Sequence, residues 1–237
     1  MNKDRILSKL YEDMAQNAPI IGLLKKELAD VLYFDDENVI VRSKPDDDPV
    51  YFCNCRDLTK LSLIPKDADM IVALNEANSR FLLADVRNLK ERSPCYQVVF
   101  TSHVETPALG IEIRVLDESF LADVVEHYEM RLAPEYILER LSSGVILGAF
   151  LESELAGFIG RHFDGSMGML EVFLKFRSRG IGRALEAAMI NRVLASGEIA
   201  YGHIFESNAG SLALQKKFPS AIFAKQKISW LRRQQPI

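Results

Sequence analysis

The chain has no apolar run near the roughly 20 residues needed to cross a bilayer. Its longest clean stretches, Ile20 to Leu24 and Val145 to Leu151, are far shorter. The amino terminus, MNKDRILSKLYEDMAQ, sets Asp4, Glu12 and Asp13 among its apolar residues. It lacks the unbroken hydrophobic segment and cleavage site of a secretory leader, so a cytoplasmic protein with no membrane partner is expected. Cysteine is scarce: Cys53, Cys55 and Cys95 cannot all pair within one chain, and Cys53-Asn54-Cys55 lacks the two-residue spacing common in zinc and redox sites. They read as buried thiols. The four histidines, His103, His127, His162 and His203, form no metal-ligand spacing, and no metal is expected. A basic excess is missing too. With 29 Lys and Arg against 33 Asp and Glu, net charge -4, the chain is not built to neutralise a nucleic-acid backbone.

What remains is an ordinary globular composition, 48% hydrophobic and 26% charged over 237 residues. That length suits one large domain or two small ones. Ile6, Leu7, Leu10 and Met14 share a helical face, and Ile20, Ile21, Leu24, Leu28 and Leu32 continue the period beyond Pro19, which predicts two opening helices. Asn38 to Arg42 and Val50 to Cys53 read as strands around Lys44-Pro-Asp-Asp-Asp-Pro49, where Asp46 to Asp48 form a solvated acidic turn rather than a spaced calcium loop. Met70 to Ala73 and Gln97 to Phe100 read as further strands, with a helix between them.

The polar segment Thr101 to Gly110 holds both Pro and Gly and reads as a linker, dividing the chain into residues 1–104 and 105–237. Beyond it, Ile111 to Leu116 alternates as a strand, Asp117 caps a helix, and Pro134 opens a second one. Val145 to Phe150 and Leu155 to Phe163 make strands around Glu152-Ser-Glu154, and Asp164-Gly165 turns the chain into a strand from Met167 to Leu174.

That strand runs into Lys175-Phe-Arg-Ser-Arg-Gly-Ile-Gly182 and then a helix with Ile181, Leu185, Met189 and Val193 on one stripe. The order is strand, glycine-containing turn, helix start. A helix start offers unpaired amides and the positive end of the macrodipole to phosphate oxygens. Gly180 and Gly182 permit close backbone approach, while Arg177, Arg179 and Arg183 add charge. Helix capping and tight strand–helix packing is the other reading of the same glycines. The turn is neither a P-loop, since no Gly-Lys-Ser/Thr follows, nor a three-glycine dinucleotide fingerprint.

Val172-Phe-Leu-Lys-Phe-Arg-Ser-Arg-Gly-Ile-Gly182 resembles the acyl-CoA signature of the GNAT superfamily of N-acetyltransferases. Leu174 stands where many members have proline and Ser178 where many have glycine. A second block, Gly202 to Lys217, resembles the family's later strand, its asparagine and a short helix beside the acyl chain. Asn208, Ser211 and Leu214 fall on the motif positions, Gln215 sits where many members have the tyrosine that protonates the leaving thiolate, and Phe218-Pro219 interrupts the usual ending. Ser211 and the missing tyrosine look more like the glycine N-acyltransferase-like branch, in which a degenerate copy precedes the active domain. The resemblance covers residues 111 to 231 well and the first half only by length and element order.

It implies an α/β (α+β) protein: a mixed, mostly antiparallel twisted sheet flanked by helices in the C-terminal half, with a smaller mixed α/β N-terminal domain. It implies acetyl-CoA or another short acyl-CoA as cosubstrate, gripped by Val172, Phe173, Leu174, Arg177, Ser178, Arg179, Gly180, Ile181, Gly182, Arg183, Asn208 and Ser211. The acceptor would be the amine of a small molecule or amino acid. A neutral amine is only about one part in a thousand of the total at pH 7, so a base should help. Glu171 is the nearest candidate, with Ser166 on the opposite strand parity and a surface ion pair as the other reading of Glu171.

The amides of Val172 and Phe173 would polarise the thioester oxygen, and Gln215 would hydrogen-bond its sulfur or merely cap surface. Arg131, Tyr136 and Glu139 could line the acceptor pocket. Lys216 and Lys217 could reach the 3′-phosphate, and Met167, Met169 and Phe173 an apolar acyl slot. A non-catalytic acyl-CoA-binding module and a nucleotide site on another α/β scaffold remain alternatives, and oligomeric state, a homodimer included, is open.

Overall fold

The computed structural model describes residues 2–44, 48–85 and 87–234. Asp46 and Asp47 of the acidic turn lie outside them. Two compact units are found: residues 1–99, 203–217 and 221–237 form the first, and residues 100–202 with 218–220 the second.

The first unit opens with helices α1 (Lys3–Tyr11) and α2 (Met14–Lys25). The break falls at Glu12 and Asp13, not at Pro19, which lies inside α2. An internal proline denies the carbonyl four residues back its usual donor. Here that carbonyl, of Ala15, accepts instead from the Gln97 side chain amide, which also donates to the Gln16 carbonyl at 3.0 Å. The apolar period expected to run on through Leu28 and Leu32 stops: residues Ala29–Phe34 are strand β1, antiparallel to β2 (Asn38–Ser43). Leu28 and Leu32 are exposed, so pairing with β2, not helical burial, decides this stretch.

Strand β3 (Val50–Cys55) pairs antiparallel with β2 and parallel with β4 (Met70–Ala73), across a 3-10 turn at Leu58–Leu63. Helix α3 (Glu76–Leu83) is capped by Asn75, and β5 (Leu89–Phe100) is far longer than the four residues expected, its polar half being paired by a strand from the other end of the chain. That strand, β12 (Ile228–Arg233), inserts between β4 and β5, antiparallel to both. This insertion returns the chain's end to the first unit, which a single domain over residues 105–237 does not anticipate. Cys53, Cys55 and Cys95 are buried and unpaired as expected, and burial pushes the Cys55 and Cys95 thiols up to about 12.

In the second unit, β6 (Glu112–Val115) leads through the Asp117 cap into α4 (Leu121–His127), then α5 (Pro134–Ser142). Strands β7 (Leu147–Leu151), β8 (Glu154–Arg161) and β9 (Met167–Val172) form an antiparallel sheet with β6 at its edge. Helix α6 (Ile181–Ala195) buries Ile181, Leu185, Met189 and Val193 against β7, β8 and β9. The other side of the sheet carries a core of Val124, Tyr128, Ile137, Leu141, Ile146, Phe150, Phe158 and Met169 from α4, α5 and the strands. Strand β10 (Ala200–Phe205) begins parallel to β9, with Gly202 opposite Met167. Helix α7 (Ala209–Gln215) and β11 (Ala221–Phe223), beside β5, complete the chain.

Among the described residues, no helix is long and apolar enough to cross a membrane. Gln97→Leu should destabilise the protein by about 1–3 kcal/mol, because it leaves the Ala15 carbonyl, which Pro19 cannot serve, without its side-chain donor. Urea unfolding of the two proteins measures the difference.

Candidate functional site

Strand β9 ends at Val172 and a 3-10 turn, Leu174–Phe176, carries the chain to Ser178, whose φ is +63°. Gly180 follows at φ +82° as the residue before α6. Two left-handed residues in three reverse the backbone tightly, and a non-glycine such as Ser178 adopts that conformation at a cost of about 1–2 kcal/mol.

The helix start has no protein cap. No side chain receives its first amides and no acidic residue lies in its first turn. Arg177 donates its amide to Leu174, and the next amide used within the fold is that of Ala184, bonded to Gly180. Among the described residues, the amides from Ser178 to Arg183 meet no protein acceptor. Arg179 and Arg183 are exposed, lie over the rings of Phe176 and Phe218, and have no carboxylate partner among the described residues. An uncapped helix start beside two guanidinium groups without a carboxylate partner has the chemistry that attracts an anion. Among the described residues no group of His, Cys, Asp or Glu could hold a metal ion.

Strand β9 is bent on the way in. Met169 has φ +52°, and the register moves from Phe158 opposite Glu171 to Gly160 opposite Gly168, so β9 carries one extra residue there. A bulge reverses which face later residues occupy. The parity difference expected between Ser166 and Glu171 is thereby cancelled. Met169, expected beside an acyl chain, is instead in the hydrophobic core. Just beyond the bulge, β8 crosses β9 so closely that a Cβ on Gly157 would lie 2.4 Å from the Glu171 carbonyl oxygen. Only glycine fits at that crossing.

Glu171 is mostly buried at the end of β9, its side chain 13% exposed. Burial raises its carboxyl above the ordinary range, opposed by the Arg177 hydrogen bond and reinforced by nearby Glu129. Nη2 of Arg177 donates to Glu171 Oε1 at 3.0 Å and Nε to the Val172 carbonyl at 2.9 Å. Arg177 therefore faces back along β9, not toward the amide run it was expected to serve. The Phe173 amide is also committed, donating to the Ala156 carbonyl at 2.9 Å, and is no donor for a thioester oxygen.

Ser166 is buried and donates to Asp164 at 2.7 Å. Tyr136, expected at a pocket wall, meets His162 Nδ1 at 3.0 Å and receives the Phe163 amide, and burial pushes its hydroxyl up to about 12. Glu139 pairs with Arg140, and Arg131 is an exposed residue at φ +46°. Asn208, Ser211 and Gln215 fall in the first unit. Asn208 receives the Ser211 amide at 2.9 Å to cap α7, and Gln215 is buried with no partner for its Oε1. Lys216 and Lys217 are exposed, while Leu174, at 79%, is the most exposed large apolar side chain among the described residues.

Sequence reading passed over Gly157, although an isolated glycine within an apolar strand pattern is the usual mark of a close backbone approach. It also passed over Glu129 and over His127, whose ring stacks on Phe173 at 3.8 Å between centroids; neither carries a local signal. Gly157→Ala should push β9 outward at Glu171 and Val172, costing about 1–3 kcal/mol of stability. Chemical denaturation checks it, and a cost below experimental error would mean that the strands separate freely at this crossing.

The family model described as FR47-like protein matches residues 144–221, which contain β9, the loop and α6. No curated protein matches the chain. Among solved structures, a Drosophila protein from a structural genomics consortium matches with TM-score 0.63 at 16% identity, over 98% of this chain and 95% of that one. A protein assigned to the GNAT acetyltransferases from Novosphingobium aromaticivorans matches with TM-score 0.56 at 20% identity, over 92% and 98% of the two chains. A GCN5-related N-acetyltransferase from Sphaerobacter thermophilus matches with TM-score 0.56 at 15% identity, over 97% and 92%. The mixed, mostly antiparallel sheet with its flanking helices is thus the fold of the GNAT acetyltransferases.

Proposed function

We propose that the protein is a GNAT-superfamily N-acyltransferase that moves an acetyl or other short acyl group from acyl-CoA to the amine of a small molecule or amino acid. One observation carries the reading: the unengaged amides of Ser178 to Arg183, at an uncapped helix start inside the segment that the FR47-like model matches. These residues suit a diphosphate. Ser178, Arg179, Gly180, Ile181, Gly182 and Arg183 supply main-chain donors and two cations, and charge-assisted hydrogen bonds contribute about 1.5–3 kcal/mol each.

Bound acyl-CoA supplies an activated thioester, and the chain's own part is to hold it and to take a proton. A protonated amine must lose its proton before attack, which costs about 4 kcal/mol at pH 7 for a pKa near 10. Glu171 is the candidate base. A carboxyl held above its ordinary range is a better proton acceptor than a solvated one, and it sits on the strand that leads into the loop. The CoA thiol has a pKa near 8.5, so its thiolate leaves without a strong acid.

The first unit supports the reading of a degenerate copy. It runs two helices (α1, α2), three antiparallel strands (β1, β2, β3), a helical turn and a strand parallel to the third (β4); the second unit runs α4, α5, β7, β8, β9, α6 and the start of β10 in the same pattern. At the turn after β3, however, no glycine is present, and the Asp57 carboxylate receives the Thr59 amide at 3.0 Å. A carboxylate built into that place excludes a phosphate. We take acyl-CoA to bind to the second unit alone, in a cytoplasmic protein whose partners are small molecules.

Titration calorimetry with CoA, joined to a thiol-release assay across an amine panel, tests the function. Binding without thiol release would favour a non-catalytic module, and preference for ATP or NAD would sink the acyl-CoA reading. Gly182→Asp should abolish CoA binding while leaving the melting temperature unchanged or higher, since a carboxylate in the first turn suits the helix and repels a diphosphate. Turnover should also fall as pH drops through a midpoint above the ordinary glutamate value of about 4.3, because the base works deprotonated and burial raises its pKa. Glu171→Gln should lose that limb of the pH–rate profile.

A further inference from the structure

Arg177 sits at the mouth of the phosphate loop but spends its donors elsewhere. Its guanidinium joins the Val172 carbonyl at 2.9 Å and Glu171 at 3.0 Å, with Glu129 Oε1 at 3.7 Å. The exposures are unequal: Arg177 is 47% exposed and Glu171 13%, so the guanidinium closes the carboxylate off from solvent. Among the described residues, the charged groups near Glu171 are this one cation, from the loop, and Glu129, from the turn after α4; Phe158, opposite it on β8, carries no charge. While the fork stays in place, the guanidinium occupies Oε1 of the candidate base and holds its affinity for an incoming ammonium proton below what burial alone would give.

We propose, on the acyl-CoA reading above, that Arg177 is a positioning residue for Glu171: it holds the carboxylate in the ligand-free protein and transfers to the diphosphate when acyl-CoA binds, uncovering Glu171 for the amine. A half-exposed ion pair contributes little, so it is exchanged readily. A guanidinium–phosphate pair is bidentate and charge-assisted, and the diphosphate brings more than one negative charge to the six amides that follow Arg177. Glu171 loses its cation in the exchange and binds a proton more tightly. The donor would therefore bind before the acceptor; below the raised midpoint CoA binding would carry a proton onto the protein, and above it Glu171 stays deprotonated and able to take the amine's proton.

The proton is the readout. CoA is titrated calorimetrically near pH 6 in two buffers of different ionisation enthalpy, with the unsubstituted protein, Arg177→Gln and Glu171→Gln. The expected result is proton uptake by the unsubstituted protein in excess of both variants, because each variant lacks one half of the exchange. Equal proton uptake by all three would overturn the proposal while leaving CoA binding intact. No CoA binding by the unsubstituted protein would overturn it together with the acyl-CoA reading. Should either variant fail to fold, the carboxyl 13C signal of Glu171 in the unsubstituted protein decides: its titration midpoint should rise on adding CoA, and an unchanged or lower midpoint would overturn the proposal.

Discussion

Among the described residues, the start of α6 leaves six consecutive main-chain amides, from Ser178 to Arg183, without a protein acceptor. Several other starts are capped by a side chain: Asn2, Asp57, Asn75, Asp117 and Asn208 each receive an amide at the start of a helix or 3-10 turn, whereas α2, α4 and α5, like α6, have no side-chain cap. Gly180 has no side chain to do so. Unpaired amides are tolerable only where water or a ligand reaches them, and the exposure of residues 177 to 180 provides that access.

Holding the amides outward requires that the strand before them end at a fixed place. The Met169 bulge, the Gly157 crossing and the Phe173 amide bond to Ala156 all act within five residues of β9. Behind them lies the core beneath α4 and α5, where Phe158 meets both Tyr128 and Phe173 edge to face. Side chains packed at crystal-like density transmit small displacements, so the aim of the loop and the burial of Glu171 are set by one structural unit.

The charges around the loop divide by burial. Arg179 and Arg183 lie over aromatic rings and keep their charge available, whereas Arg177 is drawn to the one mostly buried carboxylate nearby. Desolvation makes Glu171 seek a cation, and among the described residues Arg177 is the one that answers. In the first unit, at the turn after β3, the Asp57 carboxylate receives the Thr59 amide.

Local chemistry in the sequence was enough to place most helices and strands. Asp117 and Pro134 mark helix starts, Asp164-Gly165 marks the hairpin, and the stripe from Ile181 to Val193 is the buried face of α6. The uncapped glycine turn was legible for the same reason: strand, turn and helix start are neighbours in sequence. What depends on distant partners was not legible. Leu28 and Leu32 keep a helical spacing yet flank and enter a strand, because β2 offers hydrogen bonds that no local pattern encodes. Pro19 stays within a helix because Gln97 supplies the donor that its neighbour's carbonyl lacks. The polar half of β5 is a strand because β12 returns to pair with it. The orientation of Arg177 belongs to the same class, since a guanidinium turns toward whichever acceptor the fold has buried nearby, and burial is a property of the packed chain and not of any short segment.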